Sequence, residues 1–326
     1  MVSAAAMPIF PRPPVVNRLL ANRCLKTVKT DRSNWVTEAR QPFFIAEASS
    51  NHARDLARAL AFVDAAADCG CDAVKFQLFK IARMFAPEIL AQSAKHRART
   101  EWELPIAHLG PLAERCSQRG IAFSCTPFYV EAVEELRPFV SFYKIASYEL
   151  MVTPLLEACA RTGKPVVLST GMATMDEIVA AAATLKHAGA RDITLLHCVS
   201  AYPTPPAEAN LAAIAAIRSA TGCKTGWSDH TRTPAVIERA VHHWDAAAVE
   251  FHLDLDGEGA EYAAGHCWLP DEIAPVVARI RESFVADGTG FKEPQPSEAD
   301  DREWRADPSD GMRPLRHVRA AWKPAA

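Results

Sequence analysis

The sequence has no CxxC pair, no basic excess, no glycine-rich nucleotide loop and no apolar run of membrane length. Each absence excludes a class of protein. Its nine cysteines are an odd number and lack zinc-finger spacing, with Cys69 and Cys71 only two apart. Cys116, Cys159 and Cys198 fall in apolar or helical stretches, so the thiols read as reduced and mostly buried, as in a reducing cytoplasm. A transmembrane helix needs about 20 consecutive apolar residues, and none is found. Residues 1–14 are broken by prolines and have no basic n-region, so they do not read as a signal peptide. Lys and Arg number 36 against 39 Asp and Glu, and a net charge of −3 argues against both a dedicated nucleic-acid binder and a polybasic membrane anchor.

What is present is a core-forming chain, with 49% hydrophobic and 23% charged residues over 326 positions. That length suits two domains or one α/β barrel with extensions. Residues 1–41 are Pro- and Arg-containing and weakly periodic, and read as an N-terminal extension. Eight short β-forming runs follow, at 43–48, 73–77, 121–125, 142–146, 166–169, 193–198, 224–228 and 248–252. Alanine-rich helical patterns separate most of them, including 56–69, 153–161, 175–187 and 235–244. The stretch 81–120 is longer and predicts a loop insertion ahead of its helix. Strand–helix alternation calls for parallel strands with right-handed crossovers, and eight units close a (β/α)8 TIM barrel over 42–286. An open doubly wound sheet is the alternative, but Glu47-Ala48-Ser49-Ser50-Asn51 is no phosphate loop. Residues 287–326 turn polar and read as a short C-terminal tail.

In such a barrel the chemistry lies at the C-terminal ends of the strands. There the sequence places Glu47, Asn51 and His52; Lys75 and Gln77; Thr126; Lys144, Ser147 and Glu149; Ser169; His197, Ser200 and Tyr202; Ser228, Asp229 and His230; and Glu250 and His252. Lys75 and Lys144 each interrupt an apolar run, and a buried lysine costs several kcal/mol unless an anion pairs with it. The pair points to a phosphate or carboxylate ligand, with Thr126, Ser147, Ser169 and Ser228 as neutral donors. The plainer alternative pairs the lysines with Glu47 and Glu149 or lets them snorkel. His230 and His252 end successive strands and are placed to share a divalent metal ion, or else are satisfied core histidines. His197 reads as a supporting hydrogen-bonding residue, and His242 and His243 as structural or surface residues on a helix.

Phe44-Ile45-Ala46-Glu47 with Asn51-His52 resembles the opening motif of the sialic acid synthase (N-acetylneuraminate synthase) family. Asp72-Ala73-Val74-Lys75-Phe76-Gln77, Cys125-Thr126-Pro127-Phe128 and Tyr143-Lys144-Ile145-Ala146-Ser147-Tyr148-Glu149-Leu150 match further blocks. So do Ser169-Thr170-Gly171-Met172-Ala173-Thr174, Leu196-His197-Cys198-Val199-Ser200-Ala201-Tyr202-Pro203, Gly226-Trp227-Ser228-Asp229-His230-Thr231 and Val249-Glu250-Phe251-His252, all in family order. The resemblance implies a transferase that condenses phosphoenolpyruvate with an aldose, N-acetylmannosamine or a related sugar. The products are a 3-deoxy-2-ulosonic acid and phosphate. It implies that Lys75, Thr126, Lys144, Ser147, Ser169, Ser200 and Ser228 hold phosphoenolpyruvate, and that His230 and His252 hold the metal. It further implies Mn2+, with Mg2+ or Co2+ as alternatives. Glu47, Asn51 and Tyr202 fall to the acceptor sugar, and Glu47, Glu149 and Lys144 to catalysis. A cytoplasmic protein, free of membrane and nucleic acid and open to homodimer formation, goes with this reading.

Three departures from the family pattern stand out. Ser49 and Arg54 occupy positions where the family has glycine, so loop shape and acceptor fit are expected to differ. After His252 the family's acceptor-binding aspartate falls at Ala263, and Glu261 is the nearest substitute, with Glu258 and His266 beside it. Residues 292–298 resemble the linker to the family's C-terminal antifreeze-like domain, but only 28 residues follow Glu298. That is below the ~40 that usually fold alone, so Arg302, Arg305, Arg313 or Arg316 folds back over a barrel mouth in place of the arginine which that domain donates, or else the tail packs on the surface. Two other function classes stay open: a sugar- or anion-binding barrel without turnover, and a Schiff-base aldolase using Lys144 or Lys75.

Overall fold

A computed structural model describes residues 41–288 and 290–323. The extension 1–41, save Gln41, lies outside them. Eight strands alternate with eight helices. The strands are β1 (Phe43–Ser49), β2 (Ala73–Leu78), β3 (Ala122–Pro127), β4 (Phe142–Ile145), β5 (Val166–Ser169), β6 (Ile193–Cys198), β7 (Lys224–Asp229) and β8 (Ala248–His252). The helices are α1 (Leu56–Asp68), α2 (Leu109–Arg119), α3 (Val130–Leu136), α4 (Thr153–Arg161), α5 (Met175–His187), α6 (Ala213–Thr221), α7 (Pro234–His242) and α8 (Pro270–Ala286). The strands pair in sequence order, all parallel, and β8 pairs back onto β1 to close the barrel. This is the (β/α)8 architecture the strand–helix alternation predicts.

The strands read as near-continuous apolar runs because both of their faces are buried. Phe44, Phe76, Tyr143 and Trp227 are among their fully buried side chains. The helices carry their own start signals. Asp55 accepts a hydrogen bond from the Ala57 amide at the head of α1, and Thr174 and Glu177 form a capping box at the head of α5. α2 stops at Gly120, whose φ of 72° is a left-handed cap that glycine adopts without strain.

Two stretches outside the regular alternation matter for the site. Between β2 and α2 lie three short helices, Ile81–Met84, Pro87–Gln92 and Ala94–Ala98, followed by 3-10 turns. This is the insertion foreseen at 81–120. Between β8 and α8 the chain folds back on itself: Leu253 bridges Trp268, and the Asp254 amide donates to the Trp268 carbonyl at 2.8 Å. Beyond α8 the described residues form a 3-10 turn and two short helices, Ala299–Glu303 and Arg316–Ala321, with largely exposed side chains. Among the described residues no helix is long and apolar enough to cross a membrane.

Candidate active site

A cavity of about 640 Å³ opens at the C-terminal ends of the strands. Its floor is charged and buried. Lys75 and Lys144 are 3% and 2% exposed. Lys75 forms an ion pair with Glu47, its register partner on β1, and donates to Thr126 Oγ1 at 3.2 Å. Lys144 reaches across the barrel to Glu250 Oε1 at 3.2 Å, which also accepts from Ser228 Oγ at 3.3 Å. Burial pushes the Lys75 ammonium down to about 8, with Lys144 adding to the drop and Glu250 opposing it. Burial alone would raise Glu250, but Lys144 and Lys75 overcome it and hold that carboxyl at about 2. Of the partners foreseen for the lysines, Glu47 is present, whereas Glu250 takes the place expected for Glu149.

Around this floor several polar atoms are buried without a partner: Ser169 Oγ, Ser200 Oγ, Glu149 Oε2 and Glu250 Oε2. Buried polar groups are normally satisfied, so a cluster of unmet ones marks space for a polar ligand. Gly171 has a specific part in this. Its amide donates to Ser147 Oγ at 2.9 Å, and a Cβ there would lie 2.3 Å from Ser200 Oγ and 2.8 Å from Cys198 Sγ. Only glycine lets these groups converge. Burial raises the Glu149 carboxyl to about 7, against the pull of Lys144.

The opposite wall holds the histidines. His230 Nδ1 lies 2.7 Å from the Val199 carbonyl, and His252 Nδ1 lies 3.0 Å from Glu261 Oε2. Each contact requires a proton on Nδ1 and leaves Nε2 as a free base, the arrangement that orients metal-binding imidazoles. The two rings are 5.4 Å apart, and Tyr202 stacks on His230 at 4.2 Å. Burial, reinforced by His252, lowers His230 to about 3, which keeps its ring neutral. Glu261 is buried, which would raise its pKa, but the hydrogen bond from His252 and the His266 ring 3.6 Å away keep it firmly ionised. Ser49 Oγ donates to Glu261 Oε1 at 2.5 Å. Ser49 and Arg54 adopt φ of 49° and 59°. The loop therefore takes the left-handed turns that favour glycine, and at Ser49 a hydroxyl is gained that grips Glu261.

Of the residues singled out from sequence, Glu47, Lys75, Lys144, Ser147, Glu149, Ser169, Tyr202, Ser228, His230, His252 and Glu261 line the cavity. Thr126 stands behind Lys75, and Ser200 behind Gly171. Asn51 does not reach the cavity: its amide donates to the Leu253 carbonyl at 3.2 Å and anchors the segment after β8. None of Arg302, Arg305, Arg313 and Arg316 lines it. His197 is tied to the Ala209 carbonyl at 3.0 Å. Sequence reasoning placed Glu250 among the strand-end residues on β8 without giving it a role, and passed over Arg99, Phe85 and Trp102, which the β2–α2 insertion brings to the mouth.

Residues 62–292 match the NeuB family. The chain is 37% identical over 268 residues to an uncharacterised protein of Methanocaldococcus jannaschii, covering 82% of this chain and 78% of that one. It is 35% identical over 274 residues to an N,N'-diacetyllegionaminic acid synthase of Campylobacter jejuni, covering 79% and 81%. Among solved structures, a sialic acid synthetase of Leptospira borgpetersenii, crystallised with citrate, superposes with a TM-score of 0.70 at 33% identity over 83% of this chain and 94% of that one. With this agreement over the barrel and its strand-end motifs, the chain belongs to the NeuB family and is a transferase of its phosphoenolpyruvate-condensing class.

Proposed function

We propose that the protein joins phosphoenolpyruvate to an aldose, N-acetylmannosamine or a related amino sugar, and releases phosphate and a sialic-acid-like 3-deoxy-2-ulosonic acid. The observation that carries this reading is the floor of the cavity. Two buried lysines share the cavity with Ser169, whose hydroxyl has no partner of its own, and the equally unpartnered Ser200 hydroxyl lies behind Gly171. A small ligand with phosphate at one end and carboxylate at the other suits that floor, because it supplies the negative charge that Glu47 and Glu250 otherwise provide.

In the reaction, C3 of phosphoenolpyruvate attacks the aldehyde carbon and C2 becomes electron-poor. Water adds at C2, and the C2–O bond to phosphate breaks. Lys75 and Lys144 offset the charge of the bound anion and fix the nucleophilic carbon beside the aldehyde. Glu149, with a carboxyl raised to about 7, is matched to accept a proton from the water near neutrality. Glu47 and Tyr202 face the acceptor. The residues fit a divalent ion as well: His230 and His252 both spend Nδ1 on a fixed acceptor and keep Nε2 for a ligand bond. When bound there, Mn2+, or Mg2+ or Co2+, supplies Lewis-acid polarisation of the aldehyde oxygen. The eight described cysteines are all free and buried, in keeping with a reducing cytoplasm.

The test is phosphate release from phosphoenolpyruvate with a panel of aldoses and Mn2+. The expected result is acceptor-dependent release with a product mass equal to both substrates plus water less phosphate. Folded, metal-loaded protein that releases no phosphate with any aldose overturns the proposal.

A further inference from the structure

The loop between β1 and α1 touches both loop walls of the cavity. On one side Ser49 Oγ donates to Glu261 Oε1 at 2.5 Å, and Arg58, in the first turn of α1, pairs with Asp254 and Asp256 at 3.1 and 2.6 Å. On the other side Arg54 Nη1 donates to the Thr100 carbonyl at 2.8 Å. That carbonyl also accepts from the Glu103 amide at 3.3 Å, the bond that closes the 3-10 turn Arg99–Trp102. Glu103 Oε1 in turn accepts from the Ile81 amide at 2.7 Å, where the insertion leaves the barrel. Arg54 thus holds the insertion at the turn that carries Arg99 and Trp102, both of which line the cavity.

The backbone that brings Arg54 there is costly. Ala53 and Arg54 are successive residues with φ of 49° and 59°, left-handed values that a Cβ disfavours and glycine takes freely. The Arg54 amide donates to His52 Nδ1 at 2.9 Å, and from this conformation the side chain reaches a partner 46 residues away. Strain of this kind persists where surrounding contacts outweigh it. Arg99 is the residue that needs the support. Among the described residues no carboxylate holds it, and its Nε is buried without a partner. It has the Phe85 and Trp102 rings beside it, at 5.6 and 5.1 Å, and a ring face attracts a cation without fixing where its N–H groups point. The aim of that guanidinium is set by the backbone of its turn.

We propose that Arg54 is a positioning residue for acceptor recognition: by holding the Thr100 carbonyl it fixes the turn that presents Arg99 to the cavity. This rests on the phosphoenolpyruvate–aldose reading above and deepens it. The tie is made at an exposed side chain, so its loss acts severalfold rather than by orders of magnitude.

The test uses Arg54→Gly, which removes the tie and relieves the left-handed backbone, and Arg54→Lys, which keeps one charged donor for the carbonyl. Arg54→Gly is expected to raise the KM for the acceptor about three- to tenfold, with the KM for phosphoenolpyruvate and kcat within about twofold and the melting temperature not lowered. Arg54→Lys is expected to recover most of the acceptor KM. In an Arg99→Ala background Arg54→Gly is expected to add less than about twofold, because the residue it positions is gone. A full additional rise in that background overturns the proposal, as does an acceptor KM within twofold in Arg54→Gly. So does a lowered melting temperature with both KM values raised together, the mark of a merely structural contact. Hydrogen exchange reads the tie without turnover: amides 101–103 are expected to exchange at least about threefold faster in Arg54→Gly, with the strand amides unchanged. Unchanged exchange at 101–103 overturns the inference and leaves the proposed function standing. Faster exchange in a protein that turns over no aldose keeps the tie and removes the proposed function.

Discussion

The floor and the rim of the cavity are built on different principles. The floor stands on strands that are each paired in parallel with both neighbours: Lys75 on β2, Lys144 on β4, Ser228 on β7 and Glu250 on β8. The rim stands on loops: Arg99 and Trp102 on the β2–α2 insertion, and Glu261 and His266 on the segment after β8. A group on a strand end keeps its place whatever the loops do, whereas loop residues are free to change with the sugar to be recognised. On the proposed function, the anion half would serve the reaction common to the family, and the rim the identity of the acceptor.

The sharpest way to break this division is at Lys144. Lys144→Met is expected to lower kcat/KM by about 10³-fold, as loss of a buried charge that stabilises the transition state does. It also strands Glu250 without its nearest cation, at a cost of about 3 kcal/mol in stability. The double variant Lys144→Met with Glu250→Gln is expected to regain the melting temperature and not the activity. Recovery of both would show that the pair is structural, and that the floor does not bind the anion.

Glu149 gives the next largest effect. Glu149→Gln is expected to lower kcat by about 10²- to 10⁴-fold and to abolish an acidic limb near pH 7 in the rate profile, since protonation removes the base. The linkage has a definite sign. A carboxyl raised from 4.5 to about 7 on folding is bound more tightly to its proton in the folded state. It costs stability as pH climbs through that window, and the cost is full above pH 7. At pH 8, Glu149→Gln therefore is expected to melt higher than the unaltered protein while working far more slowly. A lower melting temperature at pH 8 would refute the assignment of a strained, burial-raised carboxyl.

The same contrast explains how much is legible in the sequence. A lysine inside an apolar strand has few uses other than an anion, so Lys75 and Lys144 point to the floor from their sequence setting alone. Strands 166–169, 193–198 and 248–252 coincide with β5, β6 and β8, because hydrophobic runs end where the barrel ends. The helix expected over 235–244 runs instead as α7 over Pro234–His242, where Pro234 takes the N1 position that suits its fixed φ. The partnership of Lys144 with Glu250 depends on closure of the barrel, which brings β4 and β8 face to face and leaves no trace in local pattern. Asn51 carries a family motif, but its amide is spent on the Leu253 carbonyl, a contact 202 residues away. The rim residues of the insertion sit in short helices and turns with no hydrophobic period to announce them.

Arg99 is the smallest and most specific of these tests. Its guanidinium lies 5.6 Å from the Phe85 ring and 5.1 Å from that of Trp102, its Nε is buried without a partner, and it has no carboxylate partner among the described residues. Lys75 and Lys144 are neutralised by Glu47 and Glu250, so Arg99 is the lining cation with hydrogen bonds to spare. It stands on the insertion, beside Met84 and Phe85, where an acceptor substituent remote from the aldehyde would rest. A hydrogen bond from a charged donor contributes about 1.5–3 kcal/mol, so Arg99→Ala is expected to raise the KM for the acceptor at least about tenfold. The KM for phosphoenolpyruvate and kcat at saturation should stay within about twofold, since the floor is untouched. An equal loss for both substrates would show that rim and floor act as one unit, and would end the division between a shared reaction and a replaceable recognition surface.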